Sequence, residues 1–341
     1  MRAMVLSTPT SLGVNPSPLE LRDVPIPDIN GNEILIKVSV CGVCHTELDI
    51  IEARTPPPSY PIILGHQVIG TVYKKGYLCK KLSIGDRIGI GWIYSSCGIC
   101  SFCKNGNENL CENFNATGRD ANGGYAEYMK AEENFAYIIP DIFTNIDAAP
   151  LLCAGGVGYR SLKLANIKNG DNLGLTGFGA SGHIVLKLVR YIYPDSKLFV
   201  FARNVKEREF AYKLGAHWVG DIDKESPEKM QSIIDTTPVW RPVVCSLKNL
   251  QKGGKLVINA IRKEDADKDY LTNISYNDHI WMEKEIKSVA NVTRDDIETF
   301  LGIASKIPLI PETEVYGLED ANKALTQLKK GSIKGAKVLV I

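Results

Sequence analysis

The sequence predicts an α/β protein in two parts: a doubly wound parallel sheet with its helices, and an irregular, largely antiparallel β-barrel. Three observations carry this expectation. The first 140 or so residues hold short β-like runs divided by Gly and Pro, as an antiparallel barrel requires. From about residue 150, apolar strands alternate with helical periodicity, the pattern of a parallel sheet covered on both faces. Within that second part, a glycine-rich turn follows one strand and opens one helix. A chain of 341 residues has room for both parts.

In chain order, MRAMVLSTPT reads as a strand, because it lacks the long apolar core and small-residue cleavage site of a signal peptide. The barrel runs are EILIKVSV (33–40), PIILGHQVIGTVY (61–73), DRIGIGWI (86–93), GYAEYMKA (124–131) and FAYIIP (135–140). The alternating part begins with the strand NLGLTG (172–177), a helix from Ser181 to Tyr191 and the strand KLFVFA (197–202). A helix from Val205 to Leu214, the strands HWVGD (217–221) and IIDTT (233–237), and a helix ending near Leu250 follow. KLVINA (255–260) and IKSVAN (286–291) complete the sheet. The tail from Arg294 holds two helices and a last strand, KVLVI (337–341).

Composition excludes several function classes. The chain is 44% hydrophobic and 23% charged with a net charge of +1, so bulk charge gives no case for binding nucleic acid or an anionic membrane. No apolar run reaches membrane-spanning length. The default location is therefore the cytoplasm. Nine cysteines in a large chain without an export signal argue against a disulfide framework.

Four of those cysteines crowd into SSCGICSFCKNGNENLC (95–111): Cys97, Cys100, Cys103 and Cys111. Bacterial ferredoxins share the C-x2-C-x2-C start but continue with x3 and Cys-Pro. Here the fourth cysteine follows after seven residues and precedes Glu112. Four thiolates with no open position suit a closed tetrahedral zinc site. An iron–sulfur cluster and unliganded thiols are the alternatives.

NLGLTGFGASGHIVLKLVRYI contains Gly177-x-Gly179-x-x-Gly182 after an apolar strand and before an amphipathic helix. The first glycine permits the tight turn, the second lets backbone approach a pyrophosphate, and the third lets helix and strand pack closely. The helix N-terminus then offers N–H groups and positive potential to phosphates. Where an NAD site places an acid at the end of the next strand, this chain has Ala202, then Arg203, Asn204, Lys206 and Arg208. Arg203, Lys206 and Arg208 would favour the 2′-phosphate of NADP, unless they are simply solvated residues of a helix start.

Two further fragments carry metal-ligand residue types: CGVCHTELD (41–49) and ILGHQVIG (63–70). With the four-cysteine lobe, AAPLLCAGGVGYRSLK (148–163) and the GFGASG turn, they stand in an order that spans essentially the whole chain. In these stretches the chain resembles the zinc-dependent alcohol dehydrogenases of the medium-chain dehydrogenase/reductase superfamily. The resemblance implies a GroES-like catalytic domain (1–152) carrying the zinc lobe (about 95–113), a Rossmann domain (153–291), and a return to the catalytic domain (292–341).

It also implies two zinc ions per chain. Cys44, His66 and Cys153 match the catalytic ligands, and Cys97, Cys100, Cys103 and Cys111 the structural ones. Two thiolates and an imidazole fit a catalytic zinc that keeps its fourth position open. Taken alone, His66 would more often be a structural histidine and Cys153 a buried small residue. Thr46 matches the hydroxyl that hydrogen-bonds the substrate oxygen and passes on its proton, though alone it is a plausible helix cap. Glu47 stands where relatives commonly hold the zinc-bound histidine through a carboxylate, or else it is a surface charge. His45 matches a position near the cofactor pyrophosphate. Cys41, Cys79 and Cys245 remain as packed or free thiols.

Three positions depart from the family pattern. Gln67 replaces a glutamate that can approach zinc, Asp49 replaces a relay histidine, and in GSIKGAKVLV Lys337 lies beside the usual phosphate-contacting arginine. The expected activity is hydride transfer between a nicotinamide cofactor, NADP(H) before NAD(H), and a small alcohol/carbonyl pair. The expected assembly is a homodimer or homotetramer. A polyol or sugar dehydrogenase of the same superfamily is the alternative within enzymes, and a non-catalytic zinc and nucleotide-binding protein the remote one. The substrate pocket is expected to be mostly apolar, lined by Trp92 and Ile50 or Ile51.

Overall fold

The computed structural model describes residues 1–307, 309–331 and 335–341; residues 332–334 of GSIKGAKVLV lie outside the described residues. It divides into two compact units, Met1–Cys153 with Val292–Ile341, and Ala154–Asn291.

The first unit is built around the strand Glu33–Val43, rich in the β-branched residues that favour strands. Val68–Lys75, Tyr128–Glu132 and Ala336–Val340 all pair with it antiparallel. Arg87–Ile90 and Ala136–Ile138 extend the sheet on one side, and Thr313–Gly317 joins Ala336–Val340 in parallel on the other. Ile34, Ile36 and Val38 face a core shared with Met4, Leu6, Val72, Leu325 and Leu339. Burying each such side chain contributes about 1.5–3 kcal/mol. Thr313–Gly317 escapes the sequence pattern, because TEVYG buries a single residue, Tyr316.

The expected runs break where chemistry-bearing residues sit. The 33–40 strand continues to Val43 and so delivers the chain to Cys44. The 61–73 run becomes Ile62–Ile63 and Val68–Lys75, with His66 in the loop between. Gly65 opens that loop at φ 98°, and a Cβ there would lie 2.5 Å from Tyr125 Cδ1 and 2.7 Å from Cys41 Sγ. Only glycine fits this close approach. The 86–93 run stops at Ile90, and Trp92 precedes a separate pair of short strands, Ile93–Ser95 and Asn115–Ala116. Ile50 and Ile51 correct the expected pocket lining: they are 1% and 0% exposed and belong to the barrel core.

The second unit is a sheet of six parallel strands. Its spatial order is Trp218–Gly220, Leu198–Phe201, Leu173–Thr176, Met230–Asp235, Leu250–Ile258, Glu285–Ser288. Numbered along the chain this is 3-2-1-4-5-6, the doubly wound Rossmann order. Leu173–Thr176 and Leu198–Phe201 are buried at every position, as strands covered on both faces must be. The helix Ala180–Ile192 packs through Ile184, Val185, Leu188 and Val189, spaced to share one face. Strand order reverses between Leu173–Thr176 and Met230–Asp235, where a ligand crevice forms at the carboxyl ends of the strands.

Candidate metal and cofactor sites

Cys44 is the N-cap of the short helix His45–Ile51. Its Sγ accepts the Thr46 N–H at 3.4 Å, and its own N–H donates to Glu47 Oε2 at 2.8 Å. This reciprocal cap fixes Cys44, Thr46 and Glu47 relative to one another. The other oxygen of Glu47 lies 2.6 Å from Nδ1 of His66, so the far ring nitrogen, Nε2, is left for other work. Nε2 stands 3.5 Å from Cys44 Sγ and 3.4 Å from Cys153 Sγ. Cys153 is delivered by the 3-10 turn Ala149–Leu152, whose four residues are all buried.

The donor set fits zinc. The three ligand atoms lie within 4.8 Å of one another. Tetrahedral bonds of about 2.3 Å to sulfur and about 2.0–2.1 Å to nitrogen would space those atoms by about 3.5 Å. The electrostatics also ask for a cation. The Cys153 thiol, burial and Glu47 push the Cys44 thiol well up. Burial works against charge on His66, but Glu47 and Cys44 overcome it and raise the imidazole to about 10. A metal ion can displace these protons and neutralise the cluster.

The second cluster is Cys97, Cys100, Cys103 and Cys111, again with all sulfurs within 4.8 Å. Cys97 Sγ lies 3.9 Å from Cys103 Sγ and 3.5 Å from Cys111 Sγ, spacings of metal ligands rather than disulfides. The backbone N–H groups of Cys100 and Cys103 donate to Cys97 and Cys100 sulfurs at 3.4 Å each. N–H groups of Ile99 and Cys100 draw the Cys97 thiol down to about 6, which favours the thiolate a metal needs. Four thiolates fill a tetrahedral site, so this cluster suits a structural ion.

Of the remaining thiols, Cys41 and Cys79 are buried, and Cys245 is half-buried beside Asp223 and Tyr270. Thr46 is buried beside Cys44, while His45 is exposed. Gln67 is buried with its amide oxygen against Gly42, where a Cβ would approach it to 2.6 Å. Asp49 is held by Arg54 Nε at 2.5 Å. Lys337 is 2% exposed and donates to Glu314, to Tyr316 (2.8 Å) and to Gln327 (3.2 Å), so its ammonium is committed within the barrel.

In the second unit, Gly177 ends the first strand at φ 78°. A Cβ there would meet Thr236 Oγ1 at 2.8 Å and Thr237 Cγ2 at 2.9 Å, the two residues just past Met230–Asp235. The turn therefore sits at the strand-order reversal. Gly179 is the N-cap of Ala180–Ile192 with no side-chain cap bond, and the space its Cβ would take is open. Gly182 packs over the turn, its Cβ position 2.9 Å from Gly177 O. N–H groups without a side-chain cap, above a turn where a Cβ on Gly179 would meet nothing, fit a pyrophosphate. Lys263, a residue sequence reasoning missed, braces the adjacent loop: it donates to buried Asp235 and to the carbonyls of Thr237 (2.7 Å) and Val239 (3.0 Å). A lysine in a polar loop carries no spacing signal.

The three basic residues after Ala202 part company. Arg203 and Lys206 are exposed. Arg208 turns inward and donates to Ala202 O (2.8 Å), Arg203 O (3.3 Å) and Asp221 (3.4 Å). The side chain of Asn204 caps the following helix by accepting the Lys206 N–H at 2.9 Å. Arg203 also faces Glu207, whose carboxyl burial pushes up and Arg203 pulls down. No helix is long and apolar enough to cross a membrane among the described residues.

Residues 30–141 match the model of the alcohol dehydrogenase GroES-like domain. A probable alcohol dehydrogenase of Mycobacterium tuberculosis is 36% identical over 329 residues, 95% of this chain and 93% of its own length. The structure of acetophenone reductase from Geotrichum candidum in complex with NAD superposes with a TM-score of 0.86 at 24% identity, covering 100% of this chain and 97% of that one. The CAD of Helicobacter pylori complexed with NADP(H) superposes with a TM-score of 0.85 at 23% identity, covering 100% and 99%. At such identities these two likenesses are of fold.

Proposed function

Because this chain belongs to the zinc-dependent alcohol dehydrogenases of the medium-chain dehydrogenase/reductase superfamily, we propose that it interconverts small alcohols with aldehydes or ketones, preferring NADP(H). The observation that carries the reading is the meeting of Cys44, His66 and Cys153, three residues far apart in sequence, with Glu47 behind the imidazole.

Cys44, His66 and Cys153 would hold a zinc ion, which supplies a Lewis acid for the substrate oxygen. The Gly177–Gly182 turn would hold a nicotinamide cofactor, which would supply hydride chemistry when bound. The chain's own residues do the rest. Glu47 keeps the His66 proton on Nδ1 and so presents Nε2 as the ligand atom. The Thr46 hydroxyl would accept a hydrogen bond from the alcohol and relay its proton, releasing its own hydroxyl proton outward to solvent as it takes up the substrate's, with the reverse relay during reduction. Trp92 packs edge-on against His66, with ring centroids 5.0 Å apart, and shields that side from water. Gly179 and the first turn of Ala180–Ile192 bind pyrophosphate, and Arg203 with Lys206 would receive a 2′-phosphate. Cys97, Cys100, Cys103 and Cys111 would hold the second zinc, which fixes a lobe and takes no part in hydride transfer.

The test is oxidation of NADPH on mixing with benzaldehyde, run beside elemental analysis of protein purified without chelator. Turnover with two zinc ions per chain supports the reading. Faster turnover of sorbitol than of benzaldehyde would replace it with the polyol alternative.

A further inference from the structure

A charged pair in the loop after the four-cysteine lobe has no part in that chemistry as described so far. Thr117 donates its N–H to Trp92 O at 2.8 Å, and Gly118, at φ 76°, folds back to donate to Ala121 O at 2.7 Å. The turn is clamped onto the segment leading into His66. A Cβ on Gly118 would lie 2.8 Å from Gly65 N, and Gly124 donates to Gly65 O at 2.9 Å. Arg119, at the tip, sets its guanidinium carbon 5.7 Å from the Trp92 ring centroid. The same ring meets His66 at an interplanar angle of 83°. One aromatic ring thus separates Arg119 from a candidate metal ligand.

Asp120 fixes this cation. Arg119 Nε donates to Oδ1 at 3.0 Å and Nη2 to Oδ2 at 2.6 Å, while Oδ2 also accepts the Ala116 N–H at 2.6 Å. The side chains of the pair are 27% and 14% exposed. Nη1 makes no hydrogen bond to any described residue, which leaves its two N–H donors for a ligand. The result is a donor whose charge is already answered.

We propose that Arg119 and Asp120 determine substrate specificity. They select alcohols and carbonyl compounds whose far end bears an uncharged hydrogen-bond acceptor, an ether, hydroxyl or carbonyl oxygen. The inference rests on the alcohol dehydrogenase reading of the site. A hydrocarbon end would cover the Nη1 donors without accepting from them. A carboxylate would bring a second anion against Asp120, and such repulsion rejects a ligand as firmly as a clash does. To the mostly apolar pocket expected from the sequence this adds a polar far end beyond Trp92.

Steady-state kcat/KM for 4-methoxybenzaldehyde and 4-formylbenzoate, each divided by that for benzaldehyde, tests the proposal. Comparing those ratios between variants and the parent protein cancels the substituents' own electronic effects. Arg119→Leu should lower the methoxy ratio about tenfold, the worth of one hydrogen bond to a charged donor. Asp120→Asn should raise the formylbenzoate ratio by about tenfold, because the guanidinium is then free to pair. Both ratios unchanged in melting-competent variants would overturn the proposal. If the parent protein turned over no aldehyde, the activity reading would fail on its own. Calorimetric binding of unreactive 4-methoxybenzamide and benzamide would then decide the matter: a preference lost in Arg119→Leu supports the role, and equal affinities refute it.

Discussion

Nδ1 of His66 lies 2.6 Å from Oε1 of Glu47, and the two side chains are 1% and 0% exposed. Such a contact holds both the tautomer and the plane of a ligand imidazole. Glu47→Gln keeps the size and can still accept from Cys44 N–H, but it loses the charge. Zinc affinity at the Cys44, His66 and Cys153 site should fall by about 10–100-fold, read by chelator competition without any turnover assay. An unchanged affinity would assign Glu47 to helix capping alone.

The two cysteine-bearing clusters should respond differently to ligand loss. Cys103→Ser and Cys153→Ala should each leave one zinc ion per chain. Only Cys103→Ser should destabilise strongly, since a closed site contributes folding energy directly. A loss of about 2 kcal/mol corresponds to a Tm lower by about 4–8 °C in a domain of this size. Cys153→Ala should melt close to the parent protein with little activity. The reverse assignment of effects would exchange the roles of the clusters.

Arg203 is the exposed cation nearest the end of Leu198–Phe201, and Arg208 is engaged by carbonyls and Asp221. Arg203→Ala should therefore narrow the ratio of kcat/KM between NADPH and NADH by about tenfold, chiefly by weakening NADPH. Arg208→Ala should instead lower stability and affect both cofactors alike. A parent enzyme that prefers NADH would remove the NADP reading and leave the dehydrogenase intact.

Glu133, 8% exposed, accepts N–H groups from Lys80, Lys81 and Leu82, each at 2.9 Å. Burial alone would raise its carboxyl, but the three donors and Lys75 hold it below the ordinary value of 4.5. A depressed value means that the folded state favours the ionised form. Its stabilisation is complete above about pH 4.5 and is lost as pH falls through the depressed value. Glu133→Gln should cost about 1–3 kcal/mol at neutral pH and make the acid limb of stability shallower. Parallel denaturation curves for the two proteins across that limb would count against this role.

Much of the fold was legible because its signals are local. Leu173–Thr176 and Leu198–Phe201 are continuous apolar runs, and the Gly177 turn between strand and helix has a spacing of its own. The four-cysteine lobe is legible for the same reason, since its ligands are near neighbours in sequence. Cys44, His66 and Cys153 carry no common spacing, so only resemblance joined them before the structure did. Side-chain surroundings were the part that the sequence hid. Ile50 and Ile51 lie just past Thr46, but a helix turns successive residues to different faces, and these two face the barrel core. Arg208 and Lys337 have the right charge near the right place, yet each is taken by acceptors that come from elsewhere in the chain. Arg119 was passed over because a lone arginine in a loop acquires meaning only from the ring beneath it.

The strand Ala336–Val340 pairs with Glu33–Val43, yet the whole of Ala154–Asn291 is threaded between them. On the ribosome, then, the partner of Val40 and Val43 emerges only after the whole of Ala154–Asn291. The inserted sheet has all its strands in hand well before that and can condense by itself, domain by domain. Meanwhile the Val40–Val43 end of Glu33–Val43 waits with unpaired N–H and C=O groups on that flank, a template for the wrong neighbour. The newborn chain is therefore exposed to aggregation until Ala336–Val340 is made. Disrupting that strand should cost far more soluble protein than its five residues suggest.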